Sequence, residues 1–201
     1  MSFDYMSCGA IGVECTQFVV FYIVAMPRIA RAVAVGYPHH ITQRGNYRQA
    51  VFESDEDYIR YLELLRLYCK KYSLKIWAYS LMGNHVHFIA VPIEPESLAK
   101  TFNTLHMRYA QYFNMKNKAS GHLWQGRFYS CALDERHLYA GMRYVENNPV
   151  RARIVKRAEQ YQWSSAGAHV ERWCGRGEAV RLPPIPIPPD FFRKSSPVAI
   201  F

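Results

Sequence analysis

Two histidines separated by one residue, His85 and His87, stand at the head of an apolar stretch in the run NHVHFIAV. In an extended strand residues i and i+2 point to the same face, so the two imidazoles project together while Val86 points the other way. Two neutral imidazoles side by side can share one divalent cation. They can equally be packed histidines of a strand buried on both faces. Metal chemistry would need a further oxygen ligand and a nucleophile. In the segment after Asp134, Tyr144 and Asn148 lie four residues apart, on one face of a helix. Asn148 offers a carbonyl oxygen to a hard cation, and Tyr144 offers a phenol to a phosphorus centre. The same residues also suit a core aromatic and a helix cap before Pro149, so spacing alone leaves both readings open.

The elements that must position these groups follow from pattern. HHITQRG (His39 to Gly45) predicts a first strand ending in a glycine turn, with NYRQAVF as a polar loop after it. A helix starts at Ser54 or Asp55, with apolar residues at Tyr58, Tyr61, Leu62, Leu65 and Tyr68 or Cys69 spaced by three and four. LKIWAYSLM (Leu74 to Met82) and HVHFIAVP (His85 to Pro92) predict two strands joined by a Gly83-Asn84 turn. Ser97 to about Asn114 has helical spacing, and HLWQGRFYSCAL (His122 to Leu133) is aromatic and β-prone, a last strand. Asp134 is a natural N-cap for ERHLYAGMRYVENN, a helix that Pro149 ends. The order predicts an α+β, ferredoxin-like split βαβ sandwich with an antiparallel sheet and one additional helix, the one that carries Tyr144.

At 201 residues and 50% hydrophobic content, the chain suits one medium-sized domain with terminal extensions. Their expected bounds are 1–25 for an N-terminal extension, 26–173 for the domain and 174–201 for a Pro-rich tail. The net charge of +9, from 25 Lys and Arg against 16 Asp and Glu, points to a polyanionic partner, nucleic acid or an anionic membrane surface. The apolar stretch FVVFYIVA (Phe18 to Ala25) is too short to span a membrane. Five scattered cysteines without CxxC spacing support neither a disulfide framework nor a zinc ribbon, and a reducing cytoplasm fits them best. Trp124 could stack on a splayed base or fill the core.

Three blocks in order, LMGNHVHFIAVP, HLWQGRFYS and MRYVENNPVRARIV, together with the opening PRIARAVAVGYPHHITQRGNYRQAVF, resemble the REP-associated tyrosine transposases. These are a branch of the single-tyrosine transposases with the HUH (His, hydrophobic, His) motif. The resemblance runs from about Met26 to Trp163; residues 1–25 have no counterpart in it. It implies a Mg²⁺- or Mn²⁺-dependent cut in single-stranded DNA and a covalent 5′-phosphotyrosine intermediate. Within it, His85 and His87 match the metal ligands, Tyr144 the nucleophile and Asn148 the polar third ligand. It also implies palindromic single-stranded DNA hairpins as partner, no membrane, and either a monomer or a homodimer.

Basic residues near these blocks have natural roles on a DNA backbone, or form a solvated basic surface: Arg44, Arg48, Arg108, Arg127, Arg151, Arg153, Lys156 and Arg157. The rival expectation is a non-catalytic nucleic-acid-binding module of the same fold, derived from a transposase. Geometry separates the two, because only the enzyme requires the histidine pair and the phenol to converge.

Overall fold

The computed structural model describes residues 32–174. The expected extension, and the tail beyond Cys174, lie outside the described residues. Strand β1 (His39–Arg44) leads through a short 3-10 turn to helix α1 (Asp55–Lys71). The hairpin of β2 (Leu74–Met82) and β3 (His85–Pro92) follows, then α2 (Ser97–Lys116), β4 (Tyr129–Ala132) and α3 (Glu135–Glu146). Two short helices close the described chain, α4 (Asn148–Arg151) and α5 (Ala166–Cys174).

The sheet has the order β2-β3-β1-β4 with every neighbouring pair antiparallel. β1 and β2 therefore run in the same direction with β3 between them, which is the split βαβ arrangement the element order predicts. Helices α1 and α2 cover one face. Ile41, Val86 and Phe88 from the strands pack there with Tyr61, Leu65, Phe102, Leu105 and Tyr109 from the helices. Helix α3 covers the other face with a smaller cluster, where Leu138 and Val145 meet Trp77, Ala78, Ile89 and Val91. A bulge between Ile76 and Ala78 turns the consecutive Trp77 and Ala78 to the same face, and so widens the platform under α3.

Local chemistry explains where the helices begin. Asp57 Oδ2 accepts hydrogen bonds from the Glu53 and Ser54 backbone N–H groups, which satisfies the start of α1. Asp134 Oδ1 accepts from the His137 N–H at 2.8 Å, so it is the N-cap of α3 that the sequence predicts. The far end of α3 is fixed by Glu146, whose Oε1 accepts from Ser165 Oγ and His169 Nδ1, both at 2.5 Å. Residues 163–165 also pair with β2 through Leu81 N–H to Trp163 O and Ser165 N–H to Tyr79 O, which covers that sheet edge.

Two expectations need correction. The last strand is Tyr129–Ala132 only; residues 122–128 form a loop that meets the end of β1 through an isolated Gly45–Trp124 bridge and a hydrogen bond from Gln43 Nε2 to Gly126 O. Gly121 and Gly126 in that loop take positive φ of 99° and 157°, which breaks extended pairing, and the Trp124 side chain turns into the core and donates to His106 O. Pro149 does not simply end a helix. α3 stops at Glu146, Asn147 caps it, and Pro149 opens the single turn of α4, where a missing N–H costs nothing.

Candidate functional site

The α3-side face of β1 and β3 carries a cluster of rings. His87 points to this face, since Val86 and Phe88 on either side of it are in the opposite core. In the β1–β3 register Thr42 lies opposite His87, Arg44 opposite His85 and His40 opposite Ile89. The alternate residues His40, Thr42 and Arg44 therefore share the face of the two histidines. His40 stacks parallel to His87, with centroids 5.5 Å apart and planes at 4°, and its Nε2 lies 3.2 Å from His87 Nδ1. The His85 ring stands edge-on to His87 at 4.9 Å.

Tyr144 comes to this cluster from above. Leu138, Gly141 and Val145 anchor α3 on the sheet, and Tyr144, half-buried, meets His87 at 5.8 Å and His40 at 5.9 Å between centroids, edge-on to both. A Cβ on Gly141 would lie 3.0 Å from Leu133 Cδ1, so glycine there permits the close approach of helix to sheet. The Arg151 guanidinium sits over the Tyr144 ring at 5.0 Å, a cation–π contact from α4. Asn148 Nδ2 donates to the Tyr144 carbonyl at 2.9 Å, a helix-terminus bond, while its Oδ1 accepts no hydrogen bond among the described residues.

Hydrogen bonding sets which imidazole nitrogens are available. The Asn84 carboxamide oxygen can only accept, and it lies 2.6 Å from His85 Nδ1, so that nitrogen carries the proton and Nε2 keeps its lone pair. Asn84 is itself held, since its Nδ2 donates to Arg48 O at 3.2 Å. A neutral His87 that donates through Nδ1 to His40 Nε2 likewise keeps its lone pair on Nε2. Burial, and then the neighbouring Arg44 cation, push His85 down to about 4. Burial first, then His85, His40 and Arg44, hold His87 well below the usual imidazole range. Burial takes His40 down to about 4. All three rings are neutral at physiological pH, the form in which imidazole coordinates metal.

The donor types fit a hard or borderline divalent cation: two neutral imidazoles with oriented second nitrogens on β3, and in α4 the carboxamide of Asn148 as an oxygen donor. Among the described residues no group of three or more His, Cys, Asp or Glu side chains is gathered as a metal site, so further ligands would have to be oxygens from Asn148, water or substrate. Among the described residues no carboxylate pairs with Arg44, whose Nε is buried without a hydrogen-bond partner. A cation at this position is suited to an anionic oxygen.

The sequence expectations divide accordingly. His85, His87 and Tyr144 come from β3 and α3 to one locality, with Arg44 opposite His85 and Arg151 over the Tyr144 ring; Asn148 contacts the end of α3 through Nδ2, and Arg48 meets Asn84 through its backbone carbonyl. Arg153, Lys156 and Arg157 are exposed beyond α4, and Arg157 is paired with Glu159 at 2.6 Å. Arg108 and Arg127 are elsewhere: Arg108 lies on α2 beside Gln111, and Arg127 lies in the 121–128 loop. Trp124 is a core residue, 8% exposed. Sequence reasoning missed His40 and Asn84. His40 was within reach as the residue two and four places from Thr42 and Arg44 on one strand face, but its pairing with His87 depends on register between strands 47 residues apart.

Comparison with known proteins places the chain in a family. The family described as "Transposase IS200 like" matches residues 34–148, more than half of the chain. Among solved structures, a REP-associated tyrosine transposase bound to a REP hairpin is 19% identical, covers 76% of this chain and 89% of its own, and superposes with a TM-score of 0.58. That likeness is one of fold. A candidate transposase from Deinococcus radiodurans R1 is 18% identical over 60% of this chain and 96% of its own, with a TM-score of 0.42 that carries no further weight. No curated protein matches. No described helix is long and apolar enough to cross a membrane.

Proposed function

The chain belongs to the IS200-like transposases, DNA-processing enzymes, and from that premise we propose that it cuts and rejoins single-stranded, hairpin-containing DNA through a phosphotyrosine at Tyr144. The observation that carries this reading is the meeting of the Tyr144 ring with His87 and His40 at under 6 Å, on the sheet face shared by Arg44, whose Nε has no hydrogen-bond partner among the described residues. A hairpin as substrate is supported by the fold shared with the transposase solved on a REP hairpin, and by the +9 charge.

The chemistry follows from the parts. An ordinary phenol, with a pKa of about 10, is protonated at neutral pH, so its attack on a phosphodiester has to be assisted. Arg44 and Arg151 would hold and partly neutralise the phosphate, a role supported by the unpartnered Arg44 Nε and by the Arg151 guanidinium over the Tyr144 ring. His85 and His87 would hold Mg²⁺ or Mn²⁺ through Nε2, with Asn148 Oδ1 as a further ligand. When bound, the cation polarises the phosphate and offsets its developing charge. The Tyr144 Oη–P bond forms as the P–O3′ bond breaks; the phenol loses a proton and the departing 3′ oxygen gains one. The phosphotyrosine remains a phosphodiester, so attack by a second 3′-OH rejoins DNA and restores the phenol without an external energy source.

The test is a denaturing gel of the full chain with Mn²⁺ and single-stranded hairpin oligonucleotides. A covalent protein–DNA species is expected with the native chain, and is abolished in Tyr144→Phe and by EDTA while hairpin binding by Tyr144→Phe persists. Adduct formation by Tyr144→Phe at the native rate would assign the chemistry elsewhere. The rival, a binding module without catalysis, predicts binding without an adduct in every case.

A further inference from the structure

On the face of the sheet opposite Tyr144, a cavity of about 760 Å³ opens between α2 and the 121–128 loop. Its size is within the range of small-ligand sites, about 300–1,000 Å³. Its lining has an unusual chemistry for a protein surface. Five carboxamides border it, Asn46, Asn103, Gln111, Asn114 and Gln125, with Arg127 as cation and, among the described residues, no carboxylate. Asn114 Nδ2 is engaged with Gly121 O and Gln111 Oε1 with Arg108, whereas the side-chain amides of Asn46, Asn103 and Gln125 make no hydrogen bond among the described residues. The floor is apolar, with Met107 49% exposed on α2.

We propose that this cavity receives unpaired nucleobases of the DNA strand cut at Tyr144; the inference rests on the reading of that site as a DNA-cleaving one. A carboxamide presents a donor and an acceptor in one plane, which matches a base edge in a way that neither a cation nor a hydroxyl does. The exposed Met107 and the apolar floor supply a surface for a flat ring. Arg127 lines the cavity, and Arg108 on α2 donates to the lining Gln111, so two cations stand beside a strand held there. The lone lining cation argues against a small polyanion, and the polar rim argues against an apolar peptide helix.

The loop that forms one wall of the cavity is tied to the end of β1. Gln125 N–H donates to Arg44 O at 2.9 Å, Asn46 N–H donates to Leu123 O at 2.8 Å, and Gly45 N–H donates to Asn84 O at 2.8 Å. Arg44 is the residue opposite His85, so the loop that forms one wall begins about two strand spacings, ~10 Å, from the histidine strand. Gly45 at this corner admits no side chain: a Cβ would lie 2.5 Å from Gln49 O. This tight turn holds the cavity wall close to the end of β1.

The experiment compares one hairpin oligonucleotide with a single-stranded extension of mixed sequence and the same hairpin made blunt, using the full-length native chain and the Asn103→Ala/Gln125→Ala variant. Loss of both amides is expected to weaken binding of the extended hairpin by about 5- to 150-fold, to leave the blunt hairpin unaffected, and to leave the salt dependence of binding unchanged, because no phosphate contact is removed. Side-chain amide resonances of Asn103 and Gln125 should shift when the extended hairpin is added. Equal affinity of variant and native chain for the extended hairpin, with the native chain still forming its adduct, overturns this proposal alone. Equal losses on both oligonucleotides, or amide resonances left unmoved, also overturn it. Absence of any adduct with the native chain defeats the proposed function itself and takes this inference with it.

Discussion

On the α1/α2 side of the sheet, Phe88, Phe102, Leu105 and Tyr109 are fully buried in a cluster rich in aromatic rings, whereas on the α3 side β1 and β3 present three imidazoles, two of which meet the Tyr144 phenol of α3. Phe88 and His87 are consecutive residues, and each belongs to a different world. Apolar burial on the first face stabilises by roughly 25 cal/mol per Å² and asks nothing of orientation beyond fit. Buried imidazoles on the second face are costly unless their nitrogens are satisfied, and Asn84 and His40 satisfy them. A face that is dense and apolar can hold a strand rigid while its reverse side keeps polar groups in fixed tautomers.

That contrast can be broken from either side. Phe88→Ala is expected to have the largest effect on stability, about 3–5 kcal/mol by analogy with other buried aromatics, measured by denaturant unfolding; adduct formation per folded molecule should persist. A small loss would mean that the α1/α2 core is not what holds β3. On the other side, Asn84→Ala and His40→Asn should weaken Mn²⁺ affinity by about 10- to 100-fold, the usual cost of losing a residue that orients a metal ligand. Calorimetric titration reads this directly, and imidazole ¹⁵N shifts should show mixed tautomers at His85 or His87. Native Mn²⁺ affinity in both variants would reduce these contacts to packing.

The smallest effect is the response to acid. His40 and His106 are held down to about 4 and about 3 by burial, one on each face. Because their folded values lie below the unfolded value of about 6.5, the unfolded chain binds more protons as pH falls from there toward 3. Their contribution to stability is complete above about pH 6.5 and is lost progressively below it. Thermal unfolding of the metal-free protein between pH 7 and 4 should show a falling midpoint, less steep in His106→Gln. An unchanged slope in that variant would place the proton uptake on the other face.

Much of this was set by local sequence. Alternation and the Gly83-Asn84 turn fixed the bounds of the central hairpin, Asp134 fixed the start of α3, and the two-residue spacing of His85 and His87 put both on one strand face. These features depend on neighbours a few residues away, so periodicity carries them. The 122–128 segment misled because its aromatic content is β-prone, while tertiary burial of Trp124 and two glycines decided its path. The meeting of His40 with His87, the orphaned Arg44 Nε, and the carboxamide cavity between α2 and its following loop depend on strand register and helix docking. Those are long-range properties, chosen by which packing buries the most apolar surface, and no spacing along the chain records them.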